Sequence, residues 1–318
     1  MPVGQGYAGV AKESTFGTAV AVNNYIPVKS IEAAQDPQNY YPEAIRSNRA
    51  KVSGIPMGLK NELKVEADAE PNSLGFLLMG ALGSVTTTTP DSTNAPTARQ
   101  HVFLPANTLP TYTWEKYDSV MIQTLAGCKL NSLTLAIEAG GDGVLTAEAE
   151  YVVKSITDKA SASTPSYTDK NPFVFHRVAV EKGGVVNTNI KSLEFEINNN
   201  LKDDQYFLNQ SREVGAIDEG MREVKVSGEM RFTNKAEYTK FANGANEGFK
   251  ITFDGDVLGG TTKEKLVLEI PKVMYDSFEV PMGGPDDEVT GSFEATALFD
   301  NTTGAEIKAT LVNTVTAF

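Results

Sequence analysis

Val289-Thr290-Gly291-Ser292-Phe293-Glu294-Ala295-Thr296-Ala297-Leu298-Phe299 has apolar residues at the odd positions. Side chains on a strand alternate between two faces, so this run predicts a strand with one buried and one wet face. Glu223-Val224-Lys225-Val226-Ser227-Gly228-Glu229-Met230-Arg231-Phe232 repeats the pattern at even positions, and 191–197, 250–253, 266–270 and 307–312 read the same way. Half-buried alternation of this kind belongs to antiparallel sheets.

Working outward from these runs, the chain repeats itself. Lys29-Ser30-Ile31-Glu32 returns as Lys191-Ser192-Leu193-Glu194, and each is followed by a polar stretch, 36–41 and 199–206. The runs 58–65 and 220–226 alternate in both. Leu130-Asn131-Ser132-Leu133-Thr134-Leu135 answers Tyr275-Asp276-Ser277-Phe278-Glu279-Val280. Each then passes a Gly/Asp turn, 140–143 and 283–287, into Thr146-Ala147-Glu148-Ala149 and Ser292-Phe293-Glu294-Ala295. Matches in the same order on the same element types point to a duplication. One helix interrupts each copy. The first lies over 72–82, with Pro71 early and Gly83 late. The second starts at an Asn234 cap with Glu237 three residues on, and Gly244 can end it. The expected fold is mainly β: two tandem, similar β-sandwich or barrel domains, each with one flanking α-helix. The boundaries fall as an arm over 1–28, a first domain over 29–158, a linker over 159–171 containing Lys159-Ala160-Ser161-Ala162-Ser163-Thr164-Pro165-Ser166, and a second domain over 172–318.

Composition narrows the function. There are 318 residues, 28 Lys+Arg against 41 Asp+Glu, and a net charge of −13. An acidic chain is a poor nucleic-acid binder, because phosphates require positive surface. Residues 1–160 carry 12 basic and 16 acidic groups, and 161–318 carry 16 and 25, so the copies differ in surface. Neither a membrane span nor a signal peptide is expected. The one cysteine, Cys128, excludes an intrachain disulfide and reads as a small buried residue; His101 and His176 leave little for zinc or triad chemistry.

The remaining motifs are weak. Gly4-Gln5-Gly6-Tyr7-Ala8-Gly9 has the dinucleotide-loop spelling without a preceding strand, and reads as a flexible arm. Asp254-Gly255-Asp256 opens like a calcium loop, but its twelfth position is Lys265. Asp286-Asp287-Glu288 reads as a solvated turn, and the Asn209 and Asn301 sequons as accidental. No catalytic residue, cofactor site or metal site is singled out, and the expectation is that the chain is not an enzyme. The stretches 36–54, 84–100 and 199–220 are longer than connectors need, and loops of that length carry function.

The opening Gly9-Val10-Ala11-Lys12-Glu13-Ser14-Thr15-Phe16-Gly17-Thr18-Ala19, then Tyr25-Ile26-Pro27-Val28 and Lys29-Ser30-Ile31-Glu32, resembles the tail tube proteins of long-tailed, siphovirus-like bacteriophages, in their two-tube-domain form. So do 58–65, Gly75-Phe76-Leu77-Leu78-Met79-Gly80-Ala81-Leu82-Gly83, and the close Thr303-Gly304-Ala305-Glu306-Ile307 with Leu311-Val312-Asn313. The resemblance implies a structural virion protein assembled in the host cytoplasm. Three chains would make a pseudo-sixfold ring, and rings would stack into a hollow helical tube for genome ejection. Implied partners are further copies of the chain, the tail terminator, the tape-measure and the distal tail proteins. Double-stranded DNA would pass without specific binding, and no membrane is involved. The arm 2–24 and the loops 36–54 and 84–100 would join ring to ring. An alternative function is a β-rich adhesin on a virion or cell surface. It would expose an aromatic loop patch, for which the chain offers one tryptophan, Trp114.

Overall fold

A computed structural model describes residues 6–168, 170–281 and 288–318. The turn 283–287 and the acidic pair Asp286-Asp287 lie outside them, as do the first two residues of the glycine motif.

The first half runs β1 (Tyr7–Lys12), β2 (Asn24–Ile26), β3 (Ser30–Tyr40), β4 (Ile55–Asp68), α1 (Leu74–Leu82), β5 (Gly83–Thr88), β6 (Arg99–Pro105), β7 (Tyr112–Tyr117), β8 (Ile122–Glu138), β9 (Thr146–Val153) and β10 (Ser155–Asp158). The second runs β11 (Val178–Lys182), β12 (Val185–Val186), β13 (Ile190–Asn198), β14 (Lys202–Gln205), β15 (Ala216–Asp218), β16 (Glu223–Arg231), α2 (Ala236–Ala242), β17 (Glu247–Gly259), β18 (Thr262–Glu279), β19 (Thr290–Ala297) and β20 (Lys308–Asn313). All ladders between these strands are antiparallel, as the alternation requires.

The pairing order is the same in both halves. The first is β3-β4-β9-β8-β7-β1-β2, with β10 on the free side of β8. The second is β13-β16-β19-β18-β17-β11-β12, with β20 on the free side of β18. One long strand, β8 or β18, therefore serves both layers of each sandwich. Its register shifts at Leu130/Ser132 in one half and Tyr275/Ser277 in the other. A bulge of this kind bends a strand from one layer into the next.

β13 also pairs with β8, so β3-β4-β9-β8-β13-β16-β19-β18 is one continuous sheet across the two halves. Its apolar face carries Leu63, Val65, Leu133, Leu135, Phe195, Val226 and Phe293, all buried in one core cluster.

Three expectations change. The glycine-rich start is part of the fold: β1 is buried at five of six positions between β7 and β2, and a Cβ on Gly9 would sit 2.8 Å from Val22 Cγ2. Its glycines serve close packing rather than freedom. The 84–100 stretch is strand at both ends, 84–88 and 99–100, because β5 and β6 form a hairpin around the turn 89–98, and Phe103 of β6 is fully buried. The 36–54 stretch extends a long β3–β4 hairpin, paired out to Tyr40 and Ile55. Both helices stand where expected. Gly83 (φ 89°) closes α1, Gly244 (φ 62°) follows α2, and Asn234 Oδ1 accepts from Ala236 N at 2.9 Å.

Candidate functional site

Period-two alternation places every second side chain of the continuous sheet on the face opposite the core, and the registers align these residues in rows. One row is Glu66, Glu148, Thr134, Glu196, Lys225 and Thr296. A second is Asp68, Thr146, Ala136, Glu194, Ser227, Glu294 and Ser277. A third is Glu138, Ser192, Glu229, Ser292 and Glu279. The face is polar, hydroxyl-rich and acidic over both halves.

This face is concave where the two halves meet. An open hollow of about 910 Å³ is lined by Glu138, Glu194, Glu229, Glu279 and Glu294 with Ser192, Ser227 and Ser292. One cation, Lys29, also lines the hollow and is paired with Asp68 (2.6 Å), while Lys64 pairs with Glu150 and Lys60 with Asp203 (2.8 Å) along β4. Among the described residues no ion pair joins Glu148, Glu194, Glu196, Glu229, Glu279 or Glu294 to a cation. Like charges aligned on a concave wall sum to a negative potential over it.

The seam between the halves is tied by buried polar groups. Lys129 Nζ donates to Ile217 O (2.7 Å) and Glu219 Oε1 (2.9 Å), and Asn199 Nδ2 donates to Ala81 O (3.2 Å) and Leu130 O (3.1 Å). Burial opposes the charge on Glu219, but Leu109 N and Lys129 hold its carboxyl below the usual carboxylate range. Arg222 reaches Asn199 Oδ1, Glu306 and Ala106 O. Only the alternation around Arg222 hinted at any of these, and nothing in the sequence marked Lys129 or Asn199 as partners across the halves.

The singled-out residues are scattered. Cys128 is fully buried, and burial pushes its thiol well up. Trp114 is buried edge-on to Tyr151, 5.4 Å between centroids, and is not on a loop. His101 is buried in β6, whereas His176 lies on an exposed single turn, so the two do not meet. Asp254 and Asp256 already have cations: Lys263 and Lys265 for the first, Arg177 (2.8 Å) for the second. Asn209 and Asn301 are exposed. Among the described residues there is no cluster of His, Cys, Asp and Glu suited to a metal ion. None of the described helices is long and apolar enough to cross a membrane.

No curated protein resembles the chain closely enough to be named as a relative. The family model described as Phage tail tube protein matches residues 5–300, nearly the whole of a strand-dominated chain with the same pairing order twice, and the chain therefore belongs to the phage tail tube family, structural proteins of the virion tail.

Proposed function

We propose that the two halves, divided at the 159–171 linker, are tandem tube domains arising by duplication, and that three chains close into a pseudo-sixfold ring. Rings stack into a hollow tube through which the genome leaves the capsid. The observation that carries this reading is the repeated strand order within one continuous sheet. Two halves already joined edge to edge can stand in for two subunits of a sixfold ring, and closure removes every free edge. The acidic face lines the bore. A duplex carries about one phosphate charge per 1.7 Å of axis. Carboxylates around it repel it from all sides and leave no electrostatic trap. The work is mechanical rather than catalytic. Partners are further copies, the tail terminator, the tape-measure and the distal tail proteins, met in the host cytoplasm during assembly.

Native mass spectrometry and negative-stain microscopy of the purified protein test the ring. Trimers with tube-like stacks are expected, and six chains per ring would sink the reading. The bore is tested with Glu148→Lys, Glu194→Lys and Glu294→Lys together. The parent should show no salt-sensitive affinity for duplex DNA, and the triple variant should gain one. Parent tubes that bind DNA and release it as salt rises would overturn the acidic bore.

A further inference from the structure

The intrachain seam has a matching pair of unused edges. β3 pairs only with β4, leaving its other edge free along Ser30–Tyr40 among the described residues. On β18, β17 covers one edge up to Val273, while the same edge of Tyr275–Glu279, opposite β19, carries no strand among the described residues. In the equivalent places β13 and β8 pair with each other. Long open edges are pairing templates.

The equivalence is fixed residue by residue. The bulges place Leu130, Ser132 and Leu133 opposite Tyr151, Glu150 and Ala149, as Tyr275, Ser277 and Phe278 stand opposite Ala295, Glu294 and Phe293. Leu63 faces both Tyr151 and Ala33, and Val226 faces both Ala295 and Phe195, so Ala33 corresponds to Phe195. The Lys-Ser-Ile-Glu and Lys-Ser-Leu-Glu stretches then coincide.

We infer that β3 of one copy pairs antiparallel with β18 of the next copy, in the register of the β13–β8 seam, and that the β3–β4 hairpin packs over that neighbour's second half. This rests on the ring reading and assigns its lateral contact. Phe195 opposite Leu135, Glu196 opposite Thr134 and Asn198 opposite Ser132 translate into Ala33 opposite Val280, Ala34 opposite Glu279 and Asp36 opposite Ser277. The prolines fit. Within the seam Ala139 N donates to Lys191 O (2.7 Å) and Asn199 N to Asn131 O (2.7 Å), so the odd positions of β8 form its hydrogen bonds. Pro281 takes the place of Ala136, whose N–H points away from the seam. Pro37 takes the place of Asn199 and ends the ladder there.

The hairpins agree. In the second half, the segment from β14 to β15 lies across the first half, burying Val214 and Ile217 against Val152. Arg212 Nε donates to Met57 O (2.7 Å), and Leu59 N donates to Arg212 O (2.8 Å). Beyond Met57 the first-half hairpin packs on no other element among the described residues, and Tyr41, Ile45, Val52 and Ile55 are 44–107% exposed. On the receiving side, Met274 and Met221 occupy the places of Lys129 and Gly58, and are 45% and 87% exposed. Apolar side chains thus stand bare on both surfaces that the equivalence brings together. The partner is a second copy, and the 36–54 hairpin seals the ring laterally rather than joining ring to ring.

The test is the double variant Ala34→Cys/Glu279→Cys, a facing non-hydrogen-bonded pair with Cα atoms about 4.5 Å apart, within disulfide reach. The buried native Cys128 is left in place. Mild oxidation of assembled rings should yield covalent species ending at the trimer, with several-fold less from Ala33→Cys/Glu279→Cys, which is off register and on opposite faces. Separately, Ile45→Ser/Val52→Ser/Ile55→Ser should leave the monomer's melting unchanged and abolish rings. Trimeric rings that cross-link only in the control pair, or form normally in the triple serine variant, overturn the seam while leaving the ring reading standing. A parent chain that stays monomeric overturns both.

Discussion

The two helices occupy equivalent places and live in different surroundings. α1, Leu-Gly-Phe-Leu-Leu-Met-Gly-Ala-Leu, is buried at all nine positions, whereas α2 has no buried residue and Tyr238 is 47% exposed. The difference lies in what covers them. Between α1 and β7 the chain inserts the β5–β6 hairpin, which has no counterpart after α2. β6 pairs with β20 from the far end of the chain, and Phe318 closes edge-on over Phe76, 4.9 Å between centroids. A helix that is apolar all round requires a cover on every side. α2 packs one stripe on β18, with Phe241 stacked on Phe278, turns Thr239 outward, and sends Lys240 to Glu237 and Glu247. One repeated frame thus supports a sealed half and a half open to neighbours.

Core truncation should break this symmetry most. Leu78 is fully buried, so Leu78→Ala should cost about 2–5 kcal/mol from lost transfer energy plus a residual cavity. Phe241 is half-buried, and Phe241→Ala should cost about 1 kcal/mol. Urea unfolding of both variants measures the difference; equal losses would mean that α2 is as enclosed as α1.

The helix ends sharpen the comparison. Gly83 and Gly244 both have positive φ, which disfavours a Cβ by about 1–2 kcal/mol. A Cβ on Gly83 would also lie 2.9 Å from Thr108 O and 3.0 Å from Ala106 Cβ, whereas one on Gly244 meets only Met274 Cε at 3.9 Å. Gly83→Ala should therefore lose about 2–3 kcal/mol and Gly244→Ala about 1 kcal/mol. Matching midpoints in chemical denaturation would remove the distinction.

How much of this was legible follows from where each signal lives. The frame is local: the alternation of 223–232 and 289–299 predicts strands, and the Lys-Ser-Ile-Glu and Lys-Ser-Leu-Glu stretches occupy matching register positions. Glycine marks the helix C-termini because the backbone there is left-handed, and Asn234, one residue before the Lys235 N-cap, marks the start of α2 by accepting from Ala236 N. The centre of the 84–100 stretch is the loop its sequence suggests, but its two ends are strand, and the Thr-rich sequence does not show this because β6 is held by β20, some 210 residues onward. β1 was misread because small residues in tight packing look like a flexible arm. The acidic face was half visible: alternation showed that Glu148, Glu194 and Glu294 avoid the core, but only the ladder registers put them in adjoining rows.

The smallest expected effect is a pH dependence confined to the sealed half. His101 stands at the centre of the cover, fully buried on β6. Its Nε2 lies 3.0 Å from Val315 O and 3.1 Å from Asn313 Oδ1, and two acceptors there place the ring proton on Nε2. Thr87 Oγ1 donates to Nδ1 at 2.8 Å, and the Phe318 ring stands edge-on, 4.7 Å between centroids. Protonating Nδ1 would set it against a hydroxyl that must then turn its own proton away. Burial pushes the imidazole pKa below its ordinary value, and the Arg99 charge adds to this against the help of Val315 and Asn313. With the folded value below the unfolded one, the unfolded chain binds more protons in between, and stability falls as pH falls. The histidine's contribution is complete above about pH 6.5 and drains away below it, before most carboxylates titrate. Melting temperature should hold steady from pH 8 to 7 and decline from there toward pH 5. His101→Gln should melt lower throughout, with that decline flattened. A parent whose melting temperature does not change across this window, or a variant that keeps the full slope, would show that the cover is not locked by a neutral histidine.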